Sequence, residues 1–157
     1  MTFRISALPG EEFAPLFALD DEQLRTRGAR RYVAGDQGFP CRVSLEDAAR
    51  GERLVLVPFT HQPADSPYRA SGPIFIREAA VQASFDVNEV PEQLRRRLLS
   101  LRAYDADALM VDAEVVEGQD LESLVERLFD DRRVQYLHVH FARPGCYACR
   151  IDRVFRS

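Results

Sequence analysis

Lysine is missing from this chain, although the chain carries many positive charges. All 21 of its cationic side chains are arginines, set against 25 aspartates and glutamates. Without a lysine amine the chain cannot form a Schiff base, which excludes lysine-linked pyridoxal phosphate and lysine nucleophiles. A P-loop is excluded for the same reason, because the lysine of that motif contacts the bound phosphates.

Other scarce features limit the classes of partner and the compartment. The formal net charge of −4 argues against nucleic acid as a partner, because nucleic-acid-binding domains usually carry a basic face. No apolar run approaches the roughly 20 residues of a membrane-spanning helix, and residues 1–6 do not resemble a signal peptide. Three cysteines, an odd number, cannot form a complete disulfide framework. We therefore expect a cytoplasmic protein with reduced thiols and neither a membrane nor a nucleic-acid partner.

The hydrophobic pattern predicts a single α+β domain over residues 1–157. A chain of 157 residues with 46% hydrophobic and 29% charged side chains fits one ordinary globular domain. Strand-like runs outnumber helical ones, and the last two form a hairpin. We expect a mainly antiparallel sheet with helices packed on one face and a C-terminal β-hairpin. A Rossmann fold needs a glycine-rich turn between strand and helix, which the sequence does not contain.

Periodicity, caps and turn residues assign the individual segments. Helices are predicted over residues 11–19, after Ser44 as far as Gly51, over residues 91–99, and after a capping Asp120. Strands are predicted over residues 30–34, 40–44, 53–59, 74–77 and 108–116, in addition to the hairpin. Residues 60–73 are predicted to form the longest irregular stretch, of a length that is uncommon unless the loop is functional or mobile.

Two of the three histidines lie one residue apart on the first strand of the hairpin. His138 and His140 alternate with apolar residues, so both imidazoles point away from the aliphatic side. The apolar side of the second strand is predicted to consist of Tyr147, Cys149 and Ile151. Matching the two apolar sides places both histidines on one face with Arg150 and Asp152.

This polar face is predicted to bind a small polar or anionic molecule. His138 and His140 are the candidate catalytic residues if the site is enzymatic, and Arg150 is a candidate anion-binding residue. Arg69 and Ser71 complete the predicted ligand site if the segment 60–73 folds over the histidines. No cofactor is required by this interpretation.

Three alternatives remain open. His61, His138 and His140 could ligate zinc or iron in a metal-dependent enzyme, since three histidine nitrogens and a water make an open site. The polar face could instead bind a protein partner, or a second copy in a homodimer. The histidines could also be ordinary strand residues, with Arg150 paired to Asp152.

The cysteines give a weaker signal. Cys146 and Cys149 form a C-x-x-C pattern, but residues three apart in a continuous strand face opposite sides of the sheet. Redox pairs of this type usually begin at a helix N-terminus. We therefore expect Cys149 and Cys41 to be buried core residues and Cys146 to lie at the turn.

Three segments resemble a small bacterial family, the domain of unknown function 1203. They are Gly38-Phe39-Pro40-Cys41-Arg42, then Pro67-Tyr68-Arg69-Ala70-Ser71-Gly72-Pro73-Ile74-Phe75, and His138-Val139-His140 leading into Ala142-Arg143-Pro144-Gly145-Cys146-Tyr147. The resemblance extends over essentially the whole chain and implies a single bacterial domain. It brings no activity, substrate or cofactor, so the functional hypotheses depend on the residues themselves.

Overall fold

The strands are distributed over two antiparallel sheets. The computed structural model describes residues 2–155. Its strands are β1 Phe3–Ser6, β2 Arg30–Val33, β3 Arg53–Gln62, β4 Ala70–Arg77, β5 Leu98–Tyr104, β6 Met110–Glu117, β7 Tyr136–Phe141 and β8 Tyr147–Arg153. One sheet has the order β1-β8-β7-β5-β6 and the other β2-β3-β4, with antiparallel neighbours throughout. The predicted α+β class and C-terminal strand pair are confirmed.

Within residues 2–155, three short helices accompany the sheets. They are α1 Asp21–Thr26, α2 Glu92–Arg95 and α3 Leu121–Asp130, with 3₁₀ turns at Ala14–Ala18 and Gly118–Asp120. The predicted apolar side of α3 is buried. Asp120 precedes α3 as expected, but its side chain makes no capping hydrogen bond. A reciprocal capping box between Asp20 and Gln23 begins α1 instead, in a segment where no separate helix was predicted.

The five-stranded sheet buries its aliphatic face against α3. Alternate residues of β7 enter this core, which also contains Leu99, Leu101, Leu121, Val125, Leu128, Leu137, Val139, Phe141 and Ile151. The smaller sheet packs separately against the first 3₁₀ turn and α1, through Phe13, Leu16, Leu24, Val55, Val57, Ile74 and Ile76. Because Leu137, Val139 and Phe141 point into the first core, His138 and His140 lie on the opposite face of β7.

The segment 91–99 is the largest error in the predicted elements. Its helix is confined to Glu92–Arg95, and strand β5 begins at Leu98. Leu99, Leu101 and Ala103 are fully buried at alternate positions between β6 and β7. The strand period therefore decides this segment once two neighbouring strands are available to pair with it.

Further segments differ from the predictions. Residues 40–44, predicted as a strand, form only isolated bridges at Pro40 and Cys41 followed by a turn. The predicted helix after Ser44 is absent among the described residues, and an isolated bridge between Pro40 and Asp47 closes this region as turns. Half of the predicted irregular stretch 60–73 is strand, because β3 extends to Gln62 and β4 begins at Ala70. Only residues 63–69 connect them. Among the helices of residues 2–155, none is long and apolar enough to cross a membrane.

An ion pair fastens the beginning of β3 to the end of β4. Arg77 donates to the Glu52 carboxylate from Nε at 2.6 Å and from Nη2 at 2.9 Å. These hydrogen bonds from Arg77 hold the pKa of Glu52 below its usual value. Both side chains are mostly shielded from solvent, so the pair contributes more than a fully exposed one.

Glu52→Gln is expected to lower the free energy of unfolding by about 1 kcal/mol near pH 7. Because the folded pKa is depressed, this contribution is fully present above the unfolded pKa of about 4.3 and is lost as the pH falls through the lower folded value. Urea unfolding at neutral and strongly acidic pH measures the difference. Glu78→Gln, which breaks a more exposed pair with Arg53, is the control. An equal loss at both pH values would contradict this assignment.

Candidate metal centre

The two sheets bring all three histidines of the chain together. His138 and His140 project from β7, and His61 comes from the end of β3 in the other sheet. One nitrogen from each ring lies within 4.8 Å of the corresponding nitrogens of the other two. The ring of His61 is centred 5.0 Å from that of His140 and 6.2 Å from that of His138. Strand alternation predicts the His138–His140 pair, whereas the arrival of His61 depends on how the sheets pack.

Each of these rings has a buried nitrogen without a hydrogen-bond partner. His138 and His140 are only 3% and 1% exposed, and His61 is half-buried. The unpaired atoms are His61 Nδ1, His138 Nδ1 and His140 Nε2. Buried polar atoms in proteins nearly always have a partner. Three unpaired nitrogens in one cluster therefore make these rings a candidate binding site.

The hairpin turn orients His140. Its Nδ1 lies 3.2 Å from the carbonyl oxygen of Gly145, and a proton on Nδ1 donates to that oxygen. The Nε2 atom then carries the lone pair, which is the usual arrangement behind a metal-ligating histidine. Gly145 has a φ of +81°, in the left-handed region that favours glycine. The turn conformation thus fixes the tautomer of a site residue.

The three imidazoles are neutral near pH 7. Burial lowers the pKa of His138 to about 3, helped by the neighbouring His140 and His61. Burial and the cation of Arg102 lower the pKa of His140 to about 4. The same two causes lower the pKa of His61. Neutral rings have a free lone pair, so the cluster is in the form that binds metal ions.

A β-bulge brings Tyr147 to the histidine face, contrary to the predicted parity. Val139 pairs with Cys149 as expected, but His140 pairs with Tyr147, so Ala148 is the additional residue. The Tyr147 ring stacks on His61 with the centroids 5.4 Å apart. The prediction was wrong because it continued the strand alternation through Ala148, which points into the core beside Cys149.

Tyrosines and one arginine complete the walls of the centre. The rings of Tyr104 and Tyr136 lie 5.1 and 5.2 Å from that of His138. The Tyr104 hydroxyl is buried without a partner, and burial raises its pKa. Tyr136 accepts a hydrogen bond from Gln62 Nε2 at 2.9 Å. Arg102 pairs directly with His138 in the sheet.

Sequence reasoning missed Arg102 and Tyr104 because the strand that carries them, β5, was not predicted. Their spacing of two residues was the available signal, since neighbours on one face of a strand recur at that interval. Tyr68, in the segment between β3 and β4, reaches Tyr104 with ring centroids 6.2 Å apart. This loop therefore approaches the centre through Tyr68, which was not one of the predicted site residues.

One protein-family model matches residues 38–153 of the 157-residue chain, and the family is described as Protein of unknown function (DUF1203). The chain belongs to the DUF1203 family. The matched region of this DUF1203 member contains all three histidines and the hairpin turn, and it confirms the resemblance found in the sequence. No curated protein and no solved structure matches the chain.

In this DUF1203 member, the predicted anion-binding residues contact other protein groups. Arg150 pairs with His138 across the strands and so lies on the predicted common face, but its guanidinium binds Asp152 and lies 4.2 Å from the Tyr136 ring centroid. Arg69 donates to the Pro63 carbonyl at 2.8 Å. Ser71 shares a 2.8 Å hydrogen bond with Thr60. The role of Arg69, Ser71 and Arg150 in ligand binding stays a prediction.

The histidine face also bears on the hypothesis of a protein interface. His138 and His140 are buried, so any surface for a protein partner or a second copy would have to form around them, and that hypothesis also stays a prediction.

Cys41, Cys146 and Cys149 are free thiols, with Cys41 and Cys149 buried as expected and Cys146 half-buried at the turn. Burial raises the pKa of the Cys149 thiol to about 12, as befits a core residue.

Proposed function

We propose that His61, His138 and His140 bind a divalent transition-metal ion, zinc by preference, and that the protein is a metal-dependent enzyme. The observation that supports this most directly is the convergence of one nitrogen from each ring to within 4.8 Å of the others. Zinc–nitrogen bonds of about 2.0–2.1 Å in tetrahedral geometry separate the ligand nitrogens by about 3.3–3.4 Å. Small rotations of the three side chains would bring the nitrogens from within 4.8 Å of one another to the separation that zinc requires.

The donor atoms favour zinc over the harder cations. Calcium and magnesium are bound mainly by carboxylate and carbonyl oxygens. Imidazole nitrogens suit zinc, copper, iron and nickel. Zinc imposes no geometric preference of its own and commonly takes three protein ligands and one water in catalytic sites.

The reaction that fits such a centre is a hydrolysis or hydration of a polar or anionic substrate. Three histidine ligands leave a fourth position for water, whose pKa falls to about 7 on zinc. The Tyr104 ring is centred 5.1 Å from that of His138, and its hydroxyl is buried with Arg102 and Gln62 as neighbours. Together with the cation of Arg102, it offers groups that could hold a carbonyl or an anion next to the bound water.

Metal analysis of the untagged full chain tests the metal-binding part. We expect about one equivalent of zinc per chain after expression with zinc, and intense visible absorption from four-coordinate cobalt when Co²⁺ replaces zinc. A chain that retains no stoichiometric metal and takes up no Co²⁺ would overturn the metal centre.

The catalytic part of the proposal is tested with small chromogenic esters and phosphate esters. Turnover should disappear with a chelator and return with zinc, and an inactive zinc-loaded chain would contradict this part alone.

A further inference from the structure

A cavity opens at the hairpin turn, and none of the three histidines lines it. Its volume is about 340 Å³, which is in the range of pockets for small molecules. Its walls combine apolar side chains from both sheets with guanidinium groups. The apolar residues include Leu56, Pro73, Phe75, Leu98 and Phe141.

Arg42 is the most unusual group in this cavity. Its side chain belongs to a residue that is only 2% exposed, and no carboxylate of residues 2–155 forms an ion pair with it. Nε donates to the Tyr147 carbonyl at 2.7 Å and Nη1 to the Pro40 carbonyl at 2.5 Å. The Nη2 atom donates to no oxygen of residues 2–155, and the Cys146 thiol is a neighbour of the guanidinium. Buried charges are normally paired, because the loss of hydration is costly.

The Arg42 guanidinium remains charged at neutral pH. Burial lowers its pKa to about 10, which is still well above 7. The group lies 5.0 Å from the Phe141 ring centroid. A cation–π contact of this kind offsets only part of the desolvation cost. The cavity therefore contains a positive charge that no carboxylate of residues 2–155 pairs with directly.

Further arginines increase the positive charge around the cavity. Arg97 places its guanidinium 5.1 Å from the same Phe141 ring, and it shares the carboxylate of Asp47 with Arg96. Arg143, in the hairpin turn, is exposed at the rim. Glu117 is the one acidic side chain of the lining, against four arginines.

We propose that this cavity binds a small organic acid. Its carboxylate would take the free Nη2 of Arg42 and a second hydrogen bond from Arg143, and its apolar body would pack against Phe141 and Phe75. The apolar walls favour an organic anion over inorganic phosphate, whose charge extends over all its oxygens. This proposal stands apart from the metal centre, because the two sites have no lining residue in common.

Calorimetric titration of the chelator-treated full chain tests the proposal. The test ligands are benzoate and hexanoate. Benzamide is the uncharged counterpart of benzoate, and inorganic phosphate is an anion without an apolar group. At least one carboxylate should bind, with benzamide and phosphate each at least about tenfold weaker. The chelator matters because carboxylates also coordinate zinc. Carboxylate binding that requires zinc, or equal binding of phosphate, would overturn the proposal, as would failure of both carboxylates to bind.

Two variants locate the binding. Arg143→Gln, at an exposed position, should weaken carboxylate binding about tenfold without disturbing the fold. Leu56→Trp should fill the cavity and weaken carboxylate binding by a similar factor. Arg127→Gln removes the same charge from α3, away from the cavity lining, and should leave the affinity unchanged. Equal affinities for the wild type, Arg143→Gln and Leu56→Trp would place the ligand elsewhere.

Discussion

Replacing Gly118 with alanine is expected to lower the free energy of unfolding by at least about 3 kcal/mol. Gly118 begins the 3₁₀ turn between β6 and α3. A Cβ atom there would lie 1.8 Å from the carbonyl oxygen of Leu94 and 2.7 Å from its carbonyl carbon. Both are backbone atoms, so no side-chain rotation relieves the clash. Leu94 is fully buried, and moving its backbone would disturb the core beneath α2.

Thermal unfolding followed by circular dichroism measures this effect. A loss of about 3 kcal/mol corresponds to a decrease of about 6–12 °C in the melting temperature of a chain of this size. Gly72→Ala is the matched control, because a Cβ at Gly72 has no atom within 4 Å. It should change stability by less than about 0.5 kcal/mol. Equal melting temperatures for the two variants would show that the turn and α2 separate more easily than the structure indicates.

His138→Leu is expected to reduce the affinity for zinc by at least about 100-fold, since even outer-shell changes at metal sites cost 10–100-fold. The wild type should gain about 2.7 kcal/mol of stability when free zinc is 100 times its dissociation constant. The variant should gain almost nothing at the same zinc concentration. Isothermal titration and melting with and without zinc measure the two quantities.

Without zinc, the same variant is expected to be at least as stable as the wild type. His138 Nδ1 is buried without a partner, and a leucine of similar volume removes that cost, worth about 1–3 kcal/mol. Thus the substitution should leave the metal-free protein at least as stable as the wild type and remove nearly all of the stabilisation by zinc. For a histidine with an ordinary structural role, the substitution would leave the response to zinc unchanged.

Arg150→Gln provides the control for the metal variant. Arg150 pairs with His138 across the strands but binds Asp152, so the zinc affinity of this variant should remain within about threefold of the wild type. If Arg150→Gln lost zinc while His138→Leu kept it, the three-histidine centre would be wrong. The earlier hypothesis of an anionic ligand at Arg150 would then become the stronger one.

Local pattern was sufficient for the elements whose partners are close in sequence. The hairpin β7–β8 and the buried side of α3 follow from apolar spacing within each segment, and both are present. The pattern failed for β5. Residues 91–99 contain helix-favouring arginines and leucines, and the spacing of these residues fits the period of a helix as well as that of a strand. The strand was decided by pairing with β6 and β7, which no window of local sequence contains.

The candidate site divides in the same way. Alternation along β7 places His138 and His140 on one face, opposite the aliphatic residues. It does not place Tyr147, because the bulge at Ala148 reverses the parity of the strand before Cys149. It does not distinguish the buried, unpaired Arg42 from the other arginines of the chain either.

By itself, the sequence determined the α+β class, the absence of lysine chemistry and the pairing of two histidines on one strand face. These properties depend on composition and on side-chain direction within single segments. Only the tertiary structure decided that His61 joins the pair, that tyrosines surround it, and that Arg42 is buried beside a cavity. Those positions arise where two sheets meet, from contacts between residues such as His61 and His138 that are far apart in the chain. Their separation is fixed by the packing of the sheets, to which local periodicity contributes no information.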